Sequence, residues 1–254
     1  MAAHLRLSRV AVDGQRLPAP LARRVGSGVM RVVLLHPLPL DGRVWAASMR
    51  TWAGSVVVPS LYALGESMEA WASEVLQSAG PGPLVLVGCS VGGSCAIEVA
   101  RLAPERVRLL VLVGAKAGHR TEPKLRDEAV RVLSEEGMTG AWLRYWAPLF
   151  GPHTDPDVVE RARGIAFEQK VDDVIRGVRV FHGRPDRRAF LEALDVPVCV
   201  VSGELDRTPA GSAALAASLR RGSFHRVAGA GHYVPLERPA ELTAIVGRAM
   251  EARL

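Results

Sequence analysis

Three residues far apart in the chain carry side chains suited to acyl transfer. Ser90 stands in "LVLVGCSVGGSCAI", with Gly88 two residues before it and Gly92 two after, where an apolar run ends. A serine hydroxyl is a weak nucleophile that needs a base beside it and a third group to orient the base. Asp206 in "VCVVSGELDRTPA" supplies a carboxylate and His232 in "VAGAGHYVPLERP" an imidazole. A sharp turn from strand to helix around Ser90 would leave no room for side chains on either side, which is a reason for glycine at 88 and 92. Taken alone the G-x-S-x-G spacing is weak: with 15 serines and 25 glycines in 254 residues it arises by accident in about one chain in seven. Each residue also has a plain structural reading. A glycine-rich turn can cradle phosphate, but this one lacks the Lys and the G-K-[ST] spacing of a Walker loop. Asp206 could cap a helix beginning near Pro209, and His232 could be an ordinary loop histidine. The weight lies in the set, in the order Ser, Asp, His, with the acid and the serine just past apolar runs. Val91 would open the helix after Ser90 and offer its N–H to a developing oxyanion.

The elements that must bring these residues together can be read from hydrophobic patterning. Apolar runs at 9–12, 31–36, 55–58, 84–88, 107–114, 196–203 and 223–229 read as strands, several apolar at every position and so buried on both faces. Between them, 41–53, 66–79, 91–103, 209–221 and 236–252 have helical spacing, with Pro209 and Pro239 near helix starts. This alternation predicts an α/β fold, a mostly parallel central sheet with helices on both faces. On that plan Ser90, Asp206 and His232 come to the same sheet edge, where open α/β sheets bind ligands. From 115 to 195 the rhythm breaks: "KLRDEAVRVLSEEG", "MTGAWLRYWAPLF", "DPDVVERARGIAFEQ" and "VDDVIRGVRVFHG" read as successive helices. About eighty residues exceed what a crossover needs, so they are expected to form a helical cap inserted between strands. The expected division is a core of 1–114 and 196–254 with a cap of 115–195. Within the cap Trp142, Tyr145, Trp146 and Phe150 are spaced as one helical face, expected either to pack on the core or to line an apolar pocket. His182, Arg184 and Asp186 lie at the return to the sheet and are read as hinge ion pairs.

Composition narrows the classes. The chain is 48% hydrophobic and 23% charged, an ordinary globular balance. No apolar stretch is long enough to span a bilayer and the N-terminus has no continuous hydrophobic segment, so a cytoplasmic protein is expected. Cys89, Cys95 and Cys199 make an odd number without paired spacing, consistent with core residues in a reducing compartment. The net charge of +6 and pI near 9.8 raise nucleic acid as a partner. Arg is spread through the chain and no basic run interleaved with aromatics occurs, so neither nucleic acid nor membrane is expected to bind. The first 28 residues read as an edge hairpin turning at Asp13-Gly14, with no chemistry attached.

The combination of H-x-x-P-L-D-x-R-x-W after the strand at 31–36, the elbow "GCSVGG", the acid segment "SGELDRTP" and "GAGHYVPLERP" resembles cap-bearing α/β hydrolases of the esterase, enol-lactonase and cofactor-free perhydrolase group. The resemblance runs from about Arg31 to the C-terminus. It implies the α/β-hydrolase fold, Ser90 as nucleophile with His232 and Asp206, and an oxyanion hole of the Val91 and Leu38 N–H groups. It implies no metal and no cofactor, and a small-molecule ester, lactone or thioester substrate with a partly apolar acyl group. The same scaffold also serves cyclisation, C–C cleavage, perhydrolysis and acyl transfer, and at times ligand sensing. The family usually has His-Gly where this chain has His36-Pro37. Pro37 removes no required donor but fixes a backbone angle, and Pro39 has no N–H to give. By the same resemblance His36 braces the loop, and Cys89 points away from the nucleophile's side of the turn.

Overall fold

The computed structural model describes residues 24, 25, 28–50, 52, 55–118, 122–207 and 211–252. The strand expected at 9–12, the Asp13-Gly14 hairpin and Pro209 lie outside them. A short antiparallel ribbon, β1 (Arg24–Val25) and β2 (Gly28–Val29), precedes the main sheet. That sheet holds β3 (Arg31–Leu35), β4 (Ser55–Val57), β5 (Leu84–Cys89), β6 (Val107–Val113), β7 (Val198–Gly203) and β8 (Gly222–Val227) in the order β4-β3-β5-β6-β7-β8. Every pairing is parallel. β5 is buried along its whole length and β6 at all but one residue, which explains why these strands read as continuous apolar runs rather than alternating ones.

The helices follow their expected spans with adjusted ends. α1 (Ala46–Met49) is a short helix continuing a 3-10 turn at Gly42–Trp45, and it packs on α10 (Pro239–Glu251). α2 (Met68–Ala79) is capped by Ser67, whose hydroxyl accepts the Ala70 N–H, and it packs on α3 (Val91–Leu102). α3 covers β5 and β6, whereas α10 reaches β6 and β8. α8 (Ser212–Ser218) starts three residues later than the expected 209 and lies on β7 and β8. Ahead of α10 runs α9 (Val234–Glu237), and Pro239 opens α10 as expected. Among the described residues no helix is long and apolar enough to cross a membrane.

Between β6 and β7 the chain forms α4 (Pro123–Ala141), α5 (Pro156–Phe167), α6 (Val171–Gly183) and α7 (Arg188–Ala193), and no strand among its described residues. α4 breaks at Gly137, where φ is 66°, at the boundary the glycine marked in the sequence. The short α7 was not anticipated. Trp142–Trp146 forms a π turn and Ala147–Leu149 a 3-10 turn, after which Phe150 is extended, so the four aromatics do not share one helical face.

From β3 the chain runs outward to β4, then returns across β3 to β5 and proceeds the other way. The sheet therefore reverses direction between β3 and β5. Loops leaving the C-terminal ends of such a pair diverge and open a crevice, and here those loops begin with His36 and Ser90.

Candidate active site

Ser90 joins β5 directly to α3 with φ 54° and ψ −118°, the one non-glycine residue of positive φ among those described. Such backbone strain costs on the order of 1–3 kcal/mol and must be held by its surroundings. A Cβ on Gly88 would come within 2.3 Å of the Gly92 carbonyl oxygen, and one on Gly92 within 2.2 Å of that of Leu35. The two glycines therefore let strand, turn and helix pack backbone on backbone. The Ser90 N–H donates to the Val113 carbonyl at 2.9 Å, fastening the turn to β6.

Asp206 follows β7 on a turn tied to the histidine loop, where Glu204 N–H donates to Val227 and Leu205 N–H to Ala230. Its Oδ2 lies 2.9 Å from Nδ1 of His232, with both side chains almost wholly buried. With the Nδ1 proton on that bond, Nε2 is left as an acceptor. Asp206 thus serves the imidazole rather than capping α8, which begins six residues on. The Ser90 hydroxyl and the His232 ring line one cavity of about 270 Å³, and no hydrogen bond joins them in this structure.

The loop after β3 forms another part of that wall. His36 is fully buried; its Nε2 accepts the Leu61 N–H at 3.0 Å and its Nδ1–H donates to the Pro37 carbonyl. Burial pushes its pKa down to about 4, so the ring is neutral and acts as a brace. Tyr62 donates to the Leu40 carbonyl and Tyr233 to that of Leu38. Asp41 accepts from Arg43 and from Gln169 of the helical insertion. Leu38 and Val91 both line the cavity. As the first residue of α3, Val91 has an N–H with no partner inside its helix.

The remaining walls come from the insertion: Leu125, Ala129 and Leu133 of α4, Tyr145, Trp146, Leu149, and Val178 and Phe181 of α6. Of the four aromatics expected there, Tyr145 and Trp146 face the cavity. Trp142 and Phe150 do not line it; they pack on each other, with Phe150 also 4.7 Å from the Tyr233 ring. The change of helix type after Trp142 turns them into the core. The Tyr145 hydroxyl is buried without a hydrogen-bond partner. Cys89 is sealed in the core and burial pushes its thiol pKa up, which suits no nucleophile. Arg184, read as part of a hinge ion pair, forms none among the described residues and instead lies over the Phe181 ring.

Sequence reasoning assigned no role to two residues that shape the site. Gly114, at the end of β6 with φ 56°, sits so close under the histidine that a Cβ would lie 2.9 Å from ring atoms Nδ1 and Cε1. Glu237 is buried, and its Oε2 accepts from Gly151 N–H, Gly231 N–H and the Thr154 hydroxyl while Oε1 accepts from Tyr233 N–H. It binds the histidine loop to the insertion, as does the His232 N–H that donates to Leu149. The signal available was a glutamate in the quoted "GHYVPLERP", five residues past the histidine.

Comparison with known proteins agrees with this architecture. The model of the alpha/beta hydrolase family matches residues 32–245, and the chain belongs to that family. Lipase LipV of Mycobacterium tuberculosis is 27% identical over 161 residues, 54% of this chain and 61% of the lipase. A pimeloyl-[acyl-carrier protein] methyl ester esterase of Klebsiella pneumoniae is 36% identical over 100 residues, 36% of this chain and 38% of the esterase. The chain thus aligns with less than two thirds of the length of these curated relatives. Among solved structures, a thermophilic esterase from Thermogutta terrifontis superposes with a TM-score of 0.78 at 26% identity, covering 89% of this chain and 91% of the other. The enol-lactonase of Burkholderia xenovorans shares the fold at 19% identity, with a TM-score of 0.78 and coverage of 87% and 91%.

Proposed function

We propose that the protein is a serine hydrolase that cleaves carboxylic esters, lactones or thioesters with a partly apolar acyl group. The observation that carries this reading is the Asp206–His232 hydrogen bond in the wall of the cavity that Ser90 also lines. The esterase and lipase names of the relatives support it.

In this scheme Nε2 of neutral His232 takes the Ser90 proton as Oγ attacks the substrate carbonyl carbon, and the π electrons move to the carbonyl oxygen. The N–H groups of Val91 and Leu38 meet that oxyanion. Asp206 stays ionised, holds the ring tautomer and stabilises the imidazolium. Collapse of the tetrahedral species breaks the bond to the leaving oxygen or sulfur, which departs with the proton from His232. Water then attacks the acyl-enzyme, giving its proton to His232, and Ser90 leaves reprotonated as the acid is released. Catalytic hydrogen bonds commonly tighten only when substrate is bound, so the unmade Ser90–His232 bond fits a resting state. Residues 115–195 act as a cap over the sheet edge, with Tyr145, Trp146, Val178 and Phe181 around the acyl chain. The free, buried cysteines are consistent with a cytoplasmic setting.

The test is labelling with a fluorophosphonate, located by mass spectrometry, alongside steady turnover of a p-nitrophenyl ester series. Label on Ser90 with turnover is the expected result. Turnover with Ser90 unlabelled would overturn the assignment. Label on Ser90 without hydrolysis of any ester would move the same residues to the family's non-hydrolytic chemistry.

A further inference from the structure

Buried charges are tolerated when paired, and among the described residues one buried cation has no carboxylate at ion-pair distance. Of the buried carboxylates, Glu98 is held by Arg101 and Arg187, and Glu237 by its four donors. Arg184 is the one arginine or lysine buried among the described residues, at 7% exposure. Its guanidinium lies 3.9 Å over the Phe181 ring and donates to the Phe181 carbonyl; among the described residues no carboxylate stands at ion-pair distance from it, and Asp186 attracts it only from farther off. A guanidinium left in that state costs free energy that a bound anion would recover.

The position of Arg184 gives its charge a use. Arg184 and Arg188 line a second cavity that shares Lys116, Leu125, Phe181 and His182 with the cavity of Ser90, so the two adjoin. Lys116 also forms no ion pair among the described residues. Partial burial and then the charge of Arg184 lower its pKa, with Glu122 and Asp206 acting the other way, so Lys116 and Arg184 are close enough to feel each other's charge. Two carboxylates stand in this vestibule, Glu122 and Asp186, and Asp186 accepts the Arg188 backbone N–H. On the far side of Arg184, both oxygens of Glu98 are already engaged.

We propose that Arg184, Lys116 and Arg188 form an anion subsite at the mouth of the Ser90 cavity, and that the substrate is an ester bearing a carboxylate or phosphate at the end remote from the scissile bond. This rests on the serine-hydrolase reading. Leu125 and Phe181, shared by both cavities, cover the apolar stretch between the reacting carbonyl and the anion.

The experiment pairs p-nitrophenyl esters of equal length ending in a carboxylate, a phosphate or a methyl ester. Wild-type protein is expected to favour the anionic esters about tenfold in kcat/KM through KM, as for one charge-assisted hydrogen-bonded contact. Lys116→Glu and Arg188→Glu, both at exposed positions, should remove that ratio, and 0.5 M NaCl should weaken it. Preference for only one of the two anions identifies which group the site takes. Equal rates for charged and neutral esters, or a ratio that survives both substitutions, would overturn the subsite. Calorimetric titration of Ser90→Ala protein with monomethyl suberate, octyl phosphate and dimethyl suberate reads the subsite without turnover. Anion-selective binding there in a protein that hydrolyses no ester would leave the subsite standing and the hydrolase reading lost; turnover without selectivity would do the reverse.

Discussion

The sheet edge that carries Ser90, Asp206 and His232 and the helical insertion above it are built differently. At the edge, backbone packs on backbone: a Cβ on Gly203 would sit 1.9 Å from the Gly231 carbonyl oxygen, and one on Gly88 or Gly92 would lie 2.3 or 2.2 Å from a backbone oxygen. In the insertion, Gly137, Gly164 and Gly183 have nothing within 4 Å of a Cβ, and exposed ion pairs such as Arg131–Glu128 and Arg144–Glu136 decorate the helices. Exposed pairs of this kind contribute little. The lesson is a division of labour: at the edge glycines let backbones touch, whereas the insertion that roofs the cavity meets the site through side chains and through a few ties, Glu237 and the Leu149 carbonyl among them, that hold the histidine loop.

That contrast can be broken experimentally, most sharply at its centre. Ser90→Ala should lower kcat for an activated ester by roughly a million-fold if the three residues act as a unit. Retention of a tenth of wild-type turnover in a steady-state assay would end the assignment. Next comes the roof. Trp142→Ala should cost about 3–5 kcal/mol in denaturant melts because the ring is core, whereas Trp146→Ala should mainly shift acyl-length preference. If Trp142→Ala left stability intact and changed specificity, the packing account of that ring would be wrong.

A third probe is pH. The unfolded chain protonates His36 near its ordinary value of 6.5, while the buried ring resists until about 4. Stability from this residue is present above pH 6.5 and falls as pH drops through that window, by about 2 kcal/mol between pH 7 and 5. Urea melts of His36→Gln should show a flatter profile over the same range; an unchanged slope would exclude His36 as its source.

A pair of glycine substitutions sets a large effect against the smallest one. Gly114→Ala adds a Cβ against the His232 ring at positive φ, and should cost about 1–3 kcal/mol together with at least a hundredfold in kcat. Gly164→Ala, exposed within α5, should instead stabilise by about 0.5–1 kcal/mol and leave turnover alone. Equal outcomes at the two positions would erase the distinction between edge and roof.

What could be read in advance follows the same line. That Asp206, His232 and Ser90 come to one sheet edge was legible because each is marked locally, by a glycine-rich turn or by the end of an apolar strand. The fold was legible because strands buried on both faces are apolar at successive positions. Glu237 was not, since its donors at 151 and 154 are 86 and 83 residues away in sequence. Nor was Tyr233 as a support for Leu38, 195 residues distant. The aromatic row misled because a spacing of three and four assumes one continuous helix, and the chain changes helix type within it.

The amino-acid order determined the strand and helix periods and the tight turn at Ser90, because these depend on neighbours within a turn or two. The tertiary structure alone decided which aromatics face the cavity, what holds the histidine loop, and that Arg184 is buried with no described carboxylate at ion-pair distance. Those outcomes depend on which surfaces meet when the insertion settles on the sheet, and burial and pairing at such a seam belong to no single stretch of chain.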